Sequence, residues 1–202
     1  VGAIPTDGRP HRQASTAVAR RVALGAGIAW IAGFFLYARA PSVVTVELPA
    51  LDLHPKEAHN LAAARFGPTI HASSYFADVF NQHHPAFLVD ERAKPTRVEK
   101  WASDPHDKNP WVEIRWRGAH DVDHVVIEHA GDVEDPGATA RSYTVTCLMA
   151  AGTGPSLHVS DNQAAVATHS LACPAAWGVR VAFVVPSGND IVRVFEIAAW
   201  GR

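Results

Sequence analysis

The chain has 202 residues, 48% of them hydrophobic, with a formal net charge of −2. That composition belongs to a folded protein rather than a disordered one, and the length accommodates one ordinary domain with an appendage. There is no basic surplus to match a phosphate backbone and no block of like charge, which excludes nucleic acid as an expected partner.

Residues 1–21 are small and polar and carry Arg9, Arg12, Arg20 and Arg21. They lead into an uncharged run, VALGAGIAWIAGFFLYA, at 22–38. A membrane span takes about 20 apolar residues with a lower limit near 17, so a transmembrane helix here is short but admissible, and Trp30 and Tyr37 suit an interface. Four arginines before the run, against Arg39 just after it, put the N-terminus in the cytoplasm and the remainder outside. A cleaved signal peptide competes, because Ala38-Arg39-Ala40 has the small-x-small form of a cleavage site. Pro41 weighs against cleavage, since its fixed φ and missing N–H suit the first mature position poorly. A buried core helix is disfavoured by Gly25, Gly27 and Gly33, each costing roughly 1 kcal/mol in a helix interior. The expectation is a single-pass signal anchor displaying an extracytoplasmic domain. Residues 39–60, with Pro41, Pro49 and Pro55 and no sustained period, read as a linker.

From 61 to 202 the signal is short strands. Val112, Ile114 and Trp116 alternate with Glu113, Arg115 and Arg117, the period of a strand with one buried face. HVVIEHA at 124–130, SYTVTCLM at 142–149, GVRVAFVV at 178–185 and DIVRVFEIAAW at 190–200 are β-branched and aromatic. AGDVEDPG, AAGTGPS and PSGND supply turn residues between them. No amphipathic helix competes, so the fold class is all-β, an antiparallel sandwich or barrel.

These residues carry a resemblance. HASSYF at 71–76, HPAFLVDE at 84–91, EKWASD at 99–104, PWVEIRW at 110–116 and VDHVVIEH at 122–129 resemble the opening half of a discoidin, or coagulation factor 5/8 type C, domain. WGVRVAFVV at 177–185 and DIVRVFEIAAWG at 190–201 are similar to that family's closing strand pair. The resemblance implies a galactose-binding-like jelly-roll β-sandwich over 61–202. Within it Ala86, Leu88 and Val89 enter the core, Asp90 makes the following turn, and Trp101 and Trp111 are core rather than sugar-stacking residues.

The resemblance further implies a binding module for carbohydrate or another envelope polymer, reached through loops at one end of the sandwich. Candidate contacts are His83, His84, Arg97 and Asn162, whose donors and acceptors match sugar hydroxyls. The alternative is a structural domain that docks on a membrane protein without a sugar site. Some members hold a structural calcium, and Asp90, Thr96 and Glu196 would be its ligands here; calcium takes six to eight oxygens. Without metal, Glu196 needs an arginine, Arg180 or Arg193, to offset its burial. Cys147 and Cys173 are expected to form a disulfide, because exported domains favour pairing and a sandwich can bring the two together. No G-x-S-x-G, H-E-x-x-H, Walker or dinucleotide motif occurs, so binding is expected rather than catalysis. Asp104, His106 and Asp107 imitate an acid/base cluster but read as a turn.

Overall fold

The structure is a computed structural model in which residues 43–48, 58–92, 98–185 and 191–202 are described. Nine strands are described: β1 Val44–Glu47, β2 His59–Asn60, β3 Thr69–Ala72, β4 Trp101–Ala102, β5 Trp111–His129, β6 Tyr143–Met149, β7 Gly152–Val159, β8 Val166–Phe183 and β9 Arg193–Gly201. All pairings among them are antiparallel. The expected all-β class is what the structure shows.

Two long strands organise the sandwich. The first half of β5 pairs with β3 and with the second half of β8, within a layer ordered β1-β3-β5-β8-β6-β7. The second half of β5 pairs with the first half of β8 and with β9, which also carries β2 and β4. Each long strand therefore serves both layers. The change of layer falls where the β5–β8 register shifts, between Arg115 and His124. Gly118 there has φ +80°, a backbone conformation that side chains rarely tolerate. At Gly178 an added Cβ would run into the Ile114 carbonyl, so only glycine lets the two strands approach.

Alternation fills the space between the layers. Val112, Ile114 and Trp116 from β5, Val179 and Val181 from β8 and Ile197 from β9 all lie in one buried cluster. Each such side chain stabilises by about 1.5–3 kcal/mol relative to exposure. Leu61, Leu88, Val89 and Trp101 belong to the same cluster. Ala86, expected beside Leu88 and Val89, is only half-buried.

Two rungs cross the core in parallel. Cys147 of β6 is bonded to Cys173 of β8, with Cα atoms 6.0 Å apart, the pairing that was expected. Four residues earlier on each strand, the Tyr143 hydroxyl lies 2.7 Å from His169 Nε2. Burial pushes the Tyr143 phenol up to about 12. Burial also lowers the His169 pKa, and it lowers that of His84 in the same way. Such a histidine is protonated more readily when unfolded, so its stabilising effect is complete above about pH 6.5 and is lost as pH falls through the depressed folded value. Thermal melts are expected to drop between pH 7.5 and pH 5. His84→Asn with His169→Gln should flatten that drop, and an equally steep fall in the double variant would exclude these two residues as its source.

Several expectations are corrected. Val44–Glu47 and His59–Asn60 lie inside the stretch read as a linker, yet both are sheet strands. Residues 150–156 were expected as a turn, but β7 starts at Gly152. Gly154 and Pro155 are tolerated there because β7 is an edge strand whose outer N–H groups need no partner. Trp111 begins β5 as expected but belongs to the outward set with Glu113 and Arg115, half-buried beneath Arg180, whose Cζ lies 4.1 Å from the ring centroid. The segment at 22–38 lies outside the described residues; among the described residues no helix is long and apolar enough to cross a membrane.

Candidate functional site

The ends of five strands meet at one end of the sandwich. Backbone bonds Ser73 N to Trp111 O, Phe183 N to Pro110 O, Val184 N to Ser142 O and Asn162 N to Arg141 O join the segments there. Two serines of the HASSYF stretch fasten the loop before β5. The Ser73 and Ser74 hydroxyls donate to Asp107 Oδ2 at 2.5 and 2.7 Å, while Ser73 Oγ accepts from Trp111 N at 3.0 Å and Ser74 Oγ from Asp104 N at 3.1 Å. Asp107 is thus occupied in holding the loop. Asp104 Oδ1 accepts from the His106 amide at 2.7 Å, beside an imidazole that is 94% exposed. The trio lies in a turn, as expected, with His106 Nδ1 also 2.9 Å from Asp104 Oδ1.

The loop from 73 to 84 is built around Asp78. Its Oδ1 accepts from the amides of Phe80 and Gln82, both at 3.0 Å, and its Oδ2 lies 2.6 Å from His83 Nδ1. Desolvation acts to raise the Asp78 carboxyl, but the Gln82 amide, the His83 imidazole and the Phe80 amide outweigh it and hold the pKa below the usual carboxylate value. Bonds from Phe76 N to Ala102 O and from Lys100 N to Gln82 O pin both sides of the loop. With its base fixed this way, the tip presents Val79 and Phe80, 92% and 77% exposed, and Phe76 at 39%. Large apolar groups this exposed on a pinned loop mark an interaction surface more readily than a packing defect.

His83 and His84 are brought together here, with different duties. The His83 ring meets Phe76 edge-on at 5.4 Å and is the polar neighbour of the apolar tip. His84 Nδ1 accepts from Ala86 N at 3.2 Å and caps the 3-10 turn Pro85–Val89, its ring against Tyr75 at 5.4 Å. That acceptor role requires a neutral imidazole, in keeping with its lowered pKa.

Asn162 lies at the same end but on another loop. Its Nδ2 donates to the carbonyls of Ala140 and Ala164 at 3.1 and 3.0 Å, and its Oδ1 accepts from Ala164 N at 3.1 Å. The amide expected to contact ligand is spent on shaping its own loop. It borders a cleft of about 470 Å³ whose lining includes Asp132, Arg141 and Gln163. Arg97 and Thr96 lie outside the described residues.

Asp90 makes the expected turn, accepting from Arg92 N at 3.2 Å. Glu196 is buried in β9 and lies opposite Glu128. Its expected arginines are engaged elsewhere: Arg180 donates to Glu113 at 3.0 Å, and Arg193 lies 3.5 Å from Glu134. Among the described residues no group of three or more His, Cys, Asp or Glu side chains could hold a metal ion. Asp90 and Glu196 would supply two carboxylates toward the six to eight oxygens that calcium takes, and the third expected ligand, Thr96, lies outside the described residues.

Sequence reasoning missed Phe76, Val79 and Phe80. The signal was present in YFADVFNQ, where apolar residues follow no period and sit among turn formers, so they have no face to bury.

No protein-family model matches the chain, and no curated protein matches it. Solved structures do. A chitosan-binding module from a chitosanase/glucanase of Paenibacillus sp. IK-5 is similar with a TM-score of 0.57 and 20% identity, covering 71% of this chain and 99% of that one. A Streptococcus pneumoniae fucose-binding module gives 0.58 and 16%, covering 74% and 100%. The family 32 carbohydrate-binding module of C. perfringens NanJ, solved with galactose, gives 0.52 and 14%, covering 66% and 93%. At such identities the likeness is one of fold, and the chain shares the β-sandwich fold of these three modules.

Proposed function

We propose that this chain is a non-catalytic carbohydrate-binding module, held at the cell envelope by its N-terminal segment and gripping glycan through the loop end of the sandwich. The observation that carries the reading is the pinned loop presenting Phe76 and Phe80 beside His83. A pyranose has an apolar C–H face and a polar rim; an exposed aromatic ring meets the first and an imidazole the second. The neighbouring cleft adds a carboxylate, a guanidinium and an amide from Asp132, Arg141 and Gln163, all of which can bond hydroxyls. The fold supports the same reading, since chitosan-, fucose- and galactose-binding modules share it. Anchoring is supported by the uncharged run at 22–38 and the arginines before it.

Membranes washed at high salt and then extracted with detergent test both halves. The chain is expected to stay with the membrane through the wash; recovery in the wash would remove the anchor. On immobilised glycans the extracted protein should bind a subset that free sugar displaces. Phe80→Ala should weaken that binding about tenfold or more, a loss of roughly 1.4 kcal/mol or above, with an unchanged melting temperature. Equal glycan binding by Phe80→Ala would exclude the loop. Absence of any glycan binding, with a membrane protein retained instead, would favour the docking reading, for which the same exposed Val79 and Phe80 would serve.

A further inference from the structure

The outer face of the first layer carries a row of polar residues that crosses all six strands in register. Thr45 lies opposite His71, His71 opposite Glu113, Glu113 opposite Arg180, Arg180 opposite Thr146, and Thr146 opposite Ser156. Three of the five neighbouring pairs are tied by side-chain bonds: Thr45 Oγ1 to His71 Nδ1 at 3.0 Å, Arg180 Nη1 to Glu113 Oε1 at 3.0 Å, and Ser156 Oγ to Thr146 Oγ1 at 3.0 Å. Arg115 closes on the other oxygen of Glu113 through Nε and Nη2, at 3.2 and 3.0 Å. One carboxylate thus orients two guanidinium groups. Each guanidinium has five N–H donors and spends only one or two on Glu113, so the remainder stay available. Trp111 fixes the plane of Arg180 from below.

Beside the row, over β1, β3 and β5, lies a recess. It has a volume of about 220 Å³ and is lined by residues that include Glu47, Thr69, His71, Arg115 and Arg117. That is smaller than the roughly 300–1,000 Å³ of a drug-sized pocket, and so suits one small group rather than a whole ligand. Across the face, Arg115, Arg117 and Arg180 outnumber Glu47 and Glu113, which favours an anion at the recess and leaves glutamate oxygens to accept from hydroxyls. Six strands spaced about 4.8 Å apart extend roughly 24 Å, the reach of a short oligosaccharide.

We propose that this sheet face is a second binding surface, for an extended acidic polysaccharide, with a uronate carboxylate seated between Arg115 and Arg117 and the chain lying along the polar row. The surface is independent of the loop end, and either can fail without the other. Outward polar residues are ordinary on a solvated sheet; the pre-oriented arginines and the recess beside the row are what that ordinary case does not require.

Affinity electrophoresis of the full chain in gels containing polygalacturonate or neutral dextran tests the proposal. The expected result is retardation by polygalacturonate alone, weakened at least tenfold in Arg117→Glu. Arg117→Lys should restore part of the binding, and Phe80→Ala should leave it intact. Arg117 is exposed, so the variants should fold, which the melting temperature checks. Equal retardation of wild type and Arg117→Glu would overturn the proposal. So would equal retardation by both polymers, equally strong binding of duplex DNA, or loss of binding in Phe80→Ala.

Discussion

Trp101→Ala is expected to destabilise the domain by about 3–5 kcal/mol, the usual cost of deleting a buried aromatic. The side chain is fully buried on a two-residue strand, its ring 5.8 Å from that of Phe183, and its Nε1 donates to the Ser74 carbonyl at 2.9 Å. Truncation therefore opens a cavity beside the end of β8 and removes the bond that ties β4 to the loop base. Trp101→Phe separates the two losses: it keeps most of the volume and should cost ~1–2 kcal/mol through the carbonyl left without its donor. Urea unfolding with a common slope is the measurement. A Trp101→Ala protein that melts like wild type would show that this tryptophan is not part of the frame.

Replacing Cys147 and Cys173 together by alanine is expected to cost roughly 3.5 kcal/mol, from closure of a loop of about 26 residues in the chain-entropy model. The Tyr143–His169 bond would remain as the single rung between β6 and the first half of β8, so the variant should fold yet melt lower. Thiol labelling of the unfolded, unreduced wild type should find neither cysteine. Two labelled thiols would refute the pairing, and a melting temperature unchanged by reduction would refute its contribution.

The fold was legible where physics is local. Alternation at Val112, Ile114 and Trp116 announced β5, and it also carried the information that was overlooked for Trp111, whose odd-numbered position puts it on the outward face with Glu113 and Arg115. Strand β5 read as two separate strands on either side of RGAHDVD, and of β8 only the second half was read, as GVRVAFVV, because nothing in one segment reveals that a partner will bend with it. Strand β7 was hidden by Gly154 and Pro155, residues tolerated only because its outer edge is unpaired, a tertiary fact. The site was less legible than the fold. His83 and His84 could be placed on one loop from sequence, but whether an Asn amide bonds its own backbone depends on carbonyls such as Ala140, 22 residues away from Asn162. The exposure of Phe80 likewise depends on how Asp78 folds the loop beneath it.

The position of β9 bears on how the domain comes into being. This strand lies in the interior of the second layer, bonded to β5 on one side and to β2 and β4 on the other, with His59 opposite Gly201. A ribosome releases the chain from one end, so the second layer lacks its middle strand until residues 193–201 have been synthesised. Pairings of such long sequence separation are slow to form. During that interval β5 and β8 expose apolar edges and faces, a state open to chaperone capture and to aggregation.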